Sequence, residues 1–277
     1  MDIELWGCDF SSAPSQRKPV VLAIGRLSGG NVLLDRIETF ETLAGFGARL
    51  AEPGAWVGAF DLPFGLPREL VEALHWPTDW LACIRHYAAL DRDEIRARFA
   101  AFCAERPAGA KFAHRDTDRP AGSSPSMKWV NPPVALMLHA GVPLLLEAGV
   151  SMPGLHEGDP ARVALEAYPG LLVRLVIGAR SYKSDDRAKQ TPERLEARKD
   201  LLEALETGQV SLLRVAGLRL KLNEAQQDDL LTDPSGDRLD AVLCLLQAAW
   251  ALRRHEQGHP RWGLPEFDPL EGWIVSA

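Results

Sequence analysis

The sequence predicts an α/β protein whose mixed sheet opens with the element order βββαβ and carries a helical insertion. Three observations predict it. Short alternating segments separated by turn residues fill the first 40 positions, and a mostly apolar run at 55–64 has the character of a strand buried on both faces. The residues from about 67 to 150 then carry helical signals in place of strand signals.

The elements follow in order. In residues 3–10, Ile-Glu-Leu-Trp-Gly-Cys-Asp-Phe, β-branched and aromatic residues alternate, and Gly7 permits close approach of another backbone. A polar loop from Ser11 to Ser15 leads to a second strand at 19–27, and Gly29-Gly30 predicts a hairpin turn into a third at 31–40. A helix is expected from about Glu41 to Glu52, and after Pro53-Gly54 the fourth strand occupies 55–64. Inside the insertion, Asp91 and Glu94 have capping-box spacing before a helix running to about Glu105. Asn131-Pro132 supplies an N-cap and an N1 proline to a helix that Gly141 should stop. Between these helices, residues 106–130 are rich in Pro, Gly, Ser and charge and read as a long functional or mobile loop. Sheet character returns at 162–170, and Thr191-Pro192 starts a helix that ends near Gly208. A last helix spans 237–254, with Leu239, Val242, Leu243, Leu246 and Trp250 at helical spacing. The chain reads as one domain over 1–277.

Composition narrows the class. Hydrophobic residues at 46% and charged residues at 25% are enough for a substantial core. No apolar run reaches the roughly 18–20 residues of a membrane-spanning helix, and the start Met1-Asp2-Ile3-Glu4 lacks the basic residues of a signal peptide. Cys8, Cys83, Cys103 and Cys244 are scattered without a CxxC pair, which predicts buried free thiols in a reducing, cytoplasmic compartment. The net charge of −7 opposes general affinity for nucleic acid, which comes mainly from Lys and Arg contacts to phosphate. Basic residues nevertheless concentrate between Arg174 and Lys199 (eight, against four acids) and between Arg106 and Lys128 (five, against Asp116 and Asp118). Each stretch alone reads equally as a solvated face.

The chemistry is carried by acids. Asp9 ends the first strand and Asp61 the fourth, each in an apolar setting where a carboxylate is costly unless a metal or partner compensates. If the two strands are parallel neighbours, both emerge at the sheet edge where open α/β sheets place ligands. Glu166 stands in a third apolar strand, and Asp237 and Asp240 share a helix face. Plainer roles exist for each. Asp9 fits an Asx turn, Asp61 a turn residue before Leu62-Pro63, Asp237 the N-cap of the last helix, and Glu166 a partner of Arg162 or Arg174.

The motifs GCDFSSAPSQRKP, FDLPFGLP, KWVNPP, LEAYPG, SYK and GDRLDAVLC together resemble those of an uncharacterised family described as predicted RNase H-like nucleases. The resemblance covers nearly the whole chain. It implies an RNase H-like mixed sheet with Asp9 on the central strand and Asp61 on its parallel neighbour. The GDRLDA segment is also similar to the C-terminal helix of RuvC-type junction resolvases, which bears metal-binding acids. Carried over, Asp9, Asp61 and Asp240 would be metal ligands, with Asp237 or Glu166 completing the catalytic set. The implied cofactor is Mg²⁺ or Mn²⁺, the implied activity phosphodiester hydrolysis, and the implied partner nucleic acid. Lys128 and Lys183 are candidate phosphate contacts. The dispersed His75, His86, His114, His139 and His156 offer no zinc cluster. Two rival classes remain: an actin-like phosphotransferase, through the weak phosphate-loop match at 7–12, and a non-catalytic binding module. A serine nucleophile at 11–12 or 123–124 lacks an obvious His partner.

Overall fold

Alternating side chains before Asp9 give β1 (Glu4–Asp9) in the computed structural model, which describes residues 3–277. The hairpin turn at Gly29-Gly30 joins β2 (Val20–Ser28) to β3 (Asn31–Phe40), with Gly29 in the left-handed region that a tight turn requires. Helix α1 (Leu43–Leu50) starts at Thr42, whose side chain accepts from the Gly45 amide, and leads to β4 (Trp56–Asp61).

Between β4 and the next strand lie five helices: α2 (Arg68–Ala73), α3 (Trp80–Ala88), α4 (Arg92–Ala104), the single turn α5 (Asp118–Ala121), and α6 (Val134–Glu147). The expected capping box is present on α4. Asp91 accepts from the Glu94 amide at 2.8 Å, while Glu94 accepts from the Asp91 amide at 3.1 Å. The expectation for α6 is corrected. Pro133 precedes its first residue, and the helix runs through Gly141 instead of stopping there. Gly141 serves packing: a Cβ would come within 2.8 Å of Leu62 and 3.1 Å of Phe10.

The second half supplies β5 (Val150–Ser151), β6 (Asp159–Glu166), α7 (Pro169–Ile177), α8 (Pro192–Thr207), α9 (Ser211–Val215), β7 (Arg219–Lys221), α10 (Glu224–Thr232) and α11 (Asp237–Glu256). The strand expected to reach 170 ends at Glu166, because Pro169 begins α7. Among the described residues, seven strands form one mixed sheet in the order β5-β6-β4-β1-β2-β3-β7. β1 is central, antiparallel to β2 and parallel to β4, and β4 is parallel to β6.

Side-chain alternation divides the core into two layers. Leu5 of β1 and Val57 and Ala59 of β4 face the layer of α7, α8 and α11, whereas Trp6, Cys8, Trp56 and Phe60 face the insertion. Helix α11 is buried on nearly every side, since it lies on β1, β2 and β4 and also packs against α7. Its close seating depends on Gly7, where a Cβ would fall 2.1 Å from the Ala241 carbonyl oxygen and the Leu245 nitrogen. All four cysteines are free and buried. Among the described residues, no helix is long and apolar enough to cross a membrane.

Candidate functional site

Strand register builds the site. Asp9 and Asp61 are paired residues at the C-terminal ends of parallel β1 and β4. Both have the parity of Leu5, Val57 and Ala59, so they face the α11 layer. Helix α11 brings Asp237 and Asp240 in its first turn, where the helix dipole favours negative charge. The N-cap of α11 is Gly236 (φ 74°), not Asp237. That glycine also makes room for Lys183, whose Cβ would lie 2.8 Å from any Cβ at 236.

The acids act on one another. Burial, and then the Asp240 carboxylate, push Asp9 well above the usual carboxylate range, with Lys183 pulling it back. The same two causes raise Asp61 to about 7. Asp237 is raised by burial, against the opposing pull of Lys18. Two lysines answer this charge. The Lys183 ammonium and the Tyr182 hydroxyl donate to the two oxygens of Asp240, and Lys18 donates to Asp237 at 2.7 Å and to Asp185 at 3.2 Å. Burial would lower Lys183, yet Asp240, Tyr182 and Asp9 hold it well above the usual lysine range.

Glu166 borders the same cavity as Asp9 and Asp61, and its charge adds to the rise of Asp61, but its own partners are different. It pairs in register with Phe60, so it points to the opposite face of the sheet. There Arg115 grips it, with Nη2 to Oε1 at 2.6 Å and Nη1 to Oε2 at 2.9 Å, and the Phe64 amide donates to Oε2 at 2.9 Å. Arg115 also holds Asp118 at 2.9 Å and the Glu271 carbonyl at 2.9 Å. Neither Arg162 nor Arg174 is the partner that the sequence suggested. This fully paired buried network fixes residues 115–118 against β6 and the C-terminal segment, so this part of the expected functional or mobile loop is anchored.

Asp9 and Asp61 open into a cavity of about 710 Å³, bordered also by Glu166, Lys18, Lys183 and the serines at 11, 12, 123 and 124, whereas Asp237 and Asp240 are buried and do not line it. Phe10, Leu62, Val134 and Met137 make its apolar wall. Lys128 does not line it; its carbonyl accepts from the Ala135 amide at the start of α6. Some residues of the two basic stretches are engaged within the fold or in surface pairs. Arg106 pairs with Glu69, Arg174 with the Gly122 carbonyl, Arg180 with Asp200, Arg198 with the Tyr182 carbonyl and Lys199 with Glu196.

Three hard carboxylates match the donor chemistry of Mg²⁺ or Mn²⁺. As the side chains stand, however, no three Asp, Glu, His or Cys among the described residues converge closely enough to hold an ion, and Lys183 supplies positive charge at Asp240. Lys18, Arg115 and Tyr182 are the participants that sequence reasoning missed. Lys18 and Tyr182 had a signal, Lys18 inside the motif GCDFSSAPSQRKP and Tyr182 beside Lys183 in the SYK motif. Comparison of the chain with protein-family models, with curated proteins and with solved structures finds no match.

Proposed function

We propose that this chain is an RNase H-like, divalent-metal-dependent hydrolase of phosphodiester bonds of nucleotide chemistry. One observation carries the reading: the strand-end carboxylates of Asp9 and Asp61 lie side by side and border a cavity of about 710 Å³, and Asp240 reaches the same face from α11. The strand order β3-β2-β1-β4, with β6 beyond it, also supports the RNase H-like reading.

Asp9, Asp61 and Asp240 would hold the ion, with Asp237 beside them. When bound, Mg²⁺ or Mn²⁺ would lower the pKa of the attacking water and stabilise the leaving oxygen. The protein's own part would be to give up the protons that burial favours on Asp9 and Asp61, and the Lys183 contact of Asp240, in exchange for the ion. Lys183 and Lys18 are then placed at the cavity to pair with the substrate phosphate. Water adds its oxygen to phosphorus and the bond from phosphorus to the alcohol oxygen breaks. One proton goes to the departing alcohol and the other to the phosphomonoester or to solvent.

A second reading, the non-catalytic module, is favoured by the pairing of Asp240 with Lys183 and of Asp237 with Lys18, which neutralises acids without a metal. The test is a panel of nucleotide diesters and oligonucleotides incubated with Mn²⁺, with ATP turnover followed in parallel. Cleavage lost in Asp9→Asn and Asp240→Asn, with negligible ATP hydrolysis, is expected. Saturable ATP hydrolysis without diester cleavage would instead indicate the phosphotransferase, and silence in every assay the binding module.

A further inference from the structure

We infer that the substrate of this site is a nucleotide-sized phosphodiester, bearing one or two phosphates and a planar apolar group, and not a nucleic-acid polymer. The inference rests on the hydrolase reading above and concerns which diester the cavity admits.

Its first support is the supply of cations. A polymer is held by many phosphate contacts along a groove. Among the described residues, the cavity is lined by three cationic side chains, Lys18, Arg115 and Lys183. Arg115 is committed to Glu166 and Asp118 in the interior. Lys18 and Lys183, each also paired with an acid at this site, are the cations left to meet a substrate, enough for one or two phosphates. Of the two basic stretches, only Arg115 and Lys183 line the cavity among the described residues, and Arg106, Arg174 and Arg198 are held by Glu69 and backbone carbonyls. A net charge of −7 repels a polyanion further.

The second support is the shape of the cavity. About 710 Å³ falls within the usual range for small-molecule sites. Val134 and Met137, three residues apart on α6, present one face to it, and Phe10 and Leu62 continue the wall. An apolar wall beside a pair of lysines and a cluster of acids suits a ligand with a flat base at one end and a phosphodiester at the other.

The experiment compares thymidine 5′-(p-nitrophenyl phosphate), methyl p-nitrophenyl phosphate, and end-labelled single-stranded and duplex oligonucleotides, all with Mn²⁺. The thymidine diester should be hydrolysed with kcat/KM at least about tenfold above any oligonucleotide per bond. With two cations available, its log(1/KM) should fall with log salt at a slope no steeper than about −2. Val134→Ala and Met137→Ala should raise KM several-fold more for the thymidine diester than for the methyl ester. Equal or faster cleavage of oligonucleotides with a steep salt slope would overturn the size inference and leave the hydrolase standing. Hydrolysis of neither small diester nor oligonucleotide would overturn both.

Discussion

Replacing Asp61 by Asn removes a carboxyl that the fold holds protonated up to about pH 7, against an ordinary value near 4. Desolvation beneath the cavity is the first cause and the Asp240 carboxylate the second, while Lys183 opposes both. The folded protein binds this proton more tightly than the unfolded chain does. The contribution of Asp61 is therefore complete below about pH 4 and is lost as the pH rises through 7. At about 1.4 kcal/mol per unit, a shift of roughly three units would amount to about 4 kcal/mol. Asp61 borders the cavity, however, and water there screens it, so a difference of about 2 kcal/mol is expected. Urea unfolding in the presence of chelator, from about pH 5 to pH 8, measures it. The wild type and Asp61→Asn should be close at the acid end, and the variant should become the more stable as the pH rises. A difference that does not change with pH, or a wild type that stays the more stable at pH 8, would refute the argument.

Three further predictions follow from the same geometry. Gly7→Ala places a methyl 2.1 Å from the backbone of α11; it should cost about 1–3 kcal/mol and, by displacing Asp240, shrink Mn²⁺-induced stabilisation in thermal melts although no carboxylate is lost. Arg115→Met leaves Glu166 and Asp118 in the interior without their cation, so urea unfolding should show a loss of about 3–5 kcal/mol; a loss below about 1 kcal/mol would mean that the network is not what holds residues 115–118. Lys183→Met removes the cation at Asp240 and should lower the melting temperature without metal, yet give a larger rise with Mn²⁺ than the wild type shows; an equal or smaller rise would mean that Lys183 does not compete with the ion.

Much of the fold was legible because local signals and tertiary demand agree. The Gly-Gly turn, the capping box at Asp91 and Glu94 and the strand ending in Asp9 are local, and each lies where the pattern predicts. Helix α6 was misread because Gly141 looks like a stop locally, while its reason lies across the interface in Leu62 and Phe10. The site divides along the same line. The adjacency of Asp9 and Asp61 follows from two strand ends, but that of Asp240 depends on α11 resting on Gly7, a contact more than 200 residues apart in sequence. Glu166 was grouped with the other acids on its apolar setting. Register with Phe60 turns it to the other face, and a register cannot be read from one strand alone. The pairing of Arg115 with Glu166 and the engagement of the basic stretches by acids and carbonyls are long-range facts, which a charge count along the chain does not contain.

Calorimetric titration of the purified protein with Mn²⁺ tests most directly the claim that Asp9, Asp61 and Asp240 form a cation site. The account predicts saturable binding of one or two ions by the wild type, weakened at least about tenfold (roughly 1.4 kcal/mol) in both Asp9→Asn and Asp240→Asn. Wild-type protein that binds no Mn²⁺, or variants that bind it as tightly as the wild type, would contradict it.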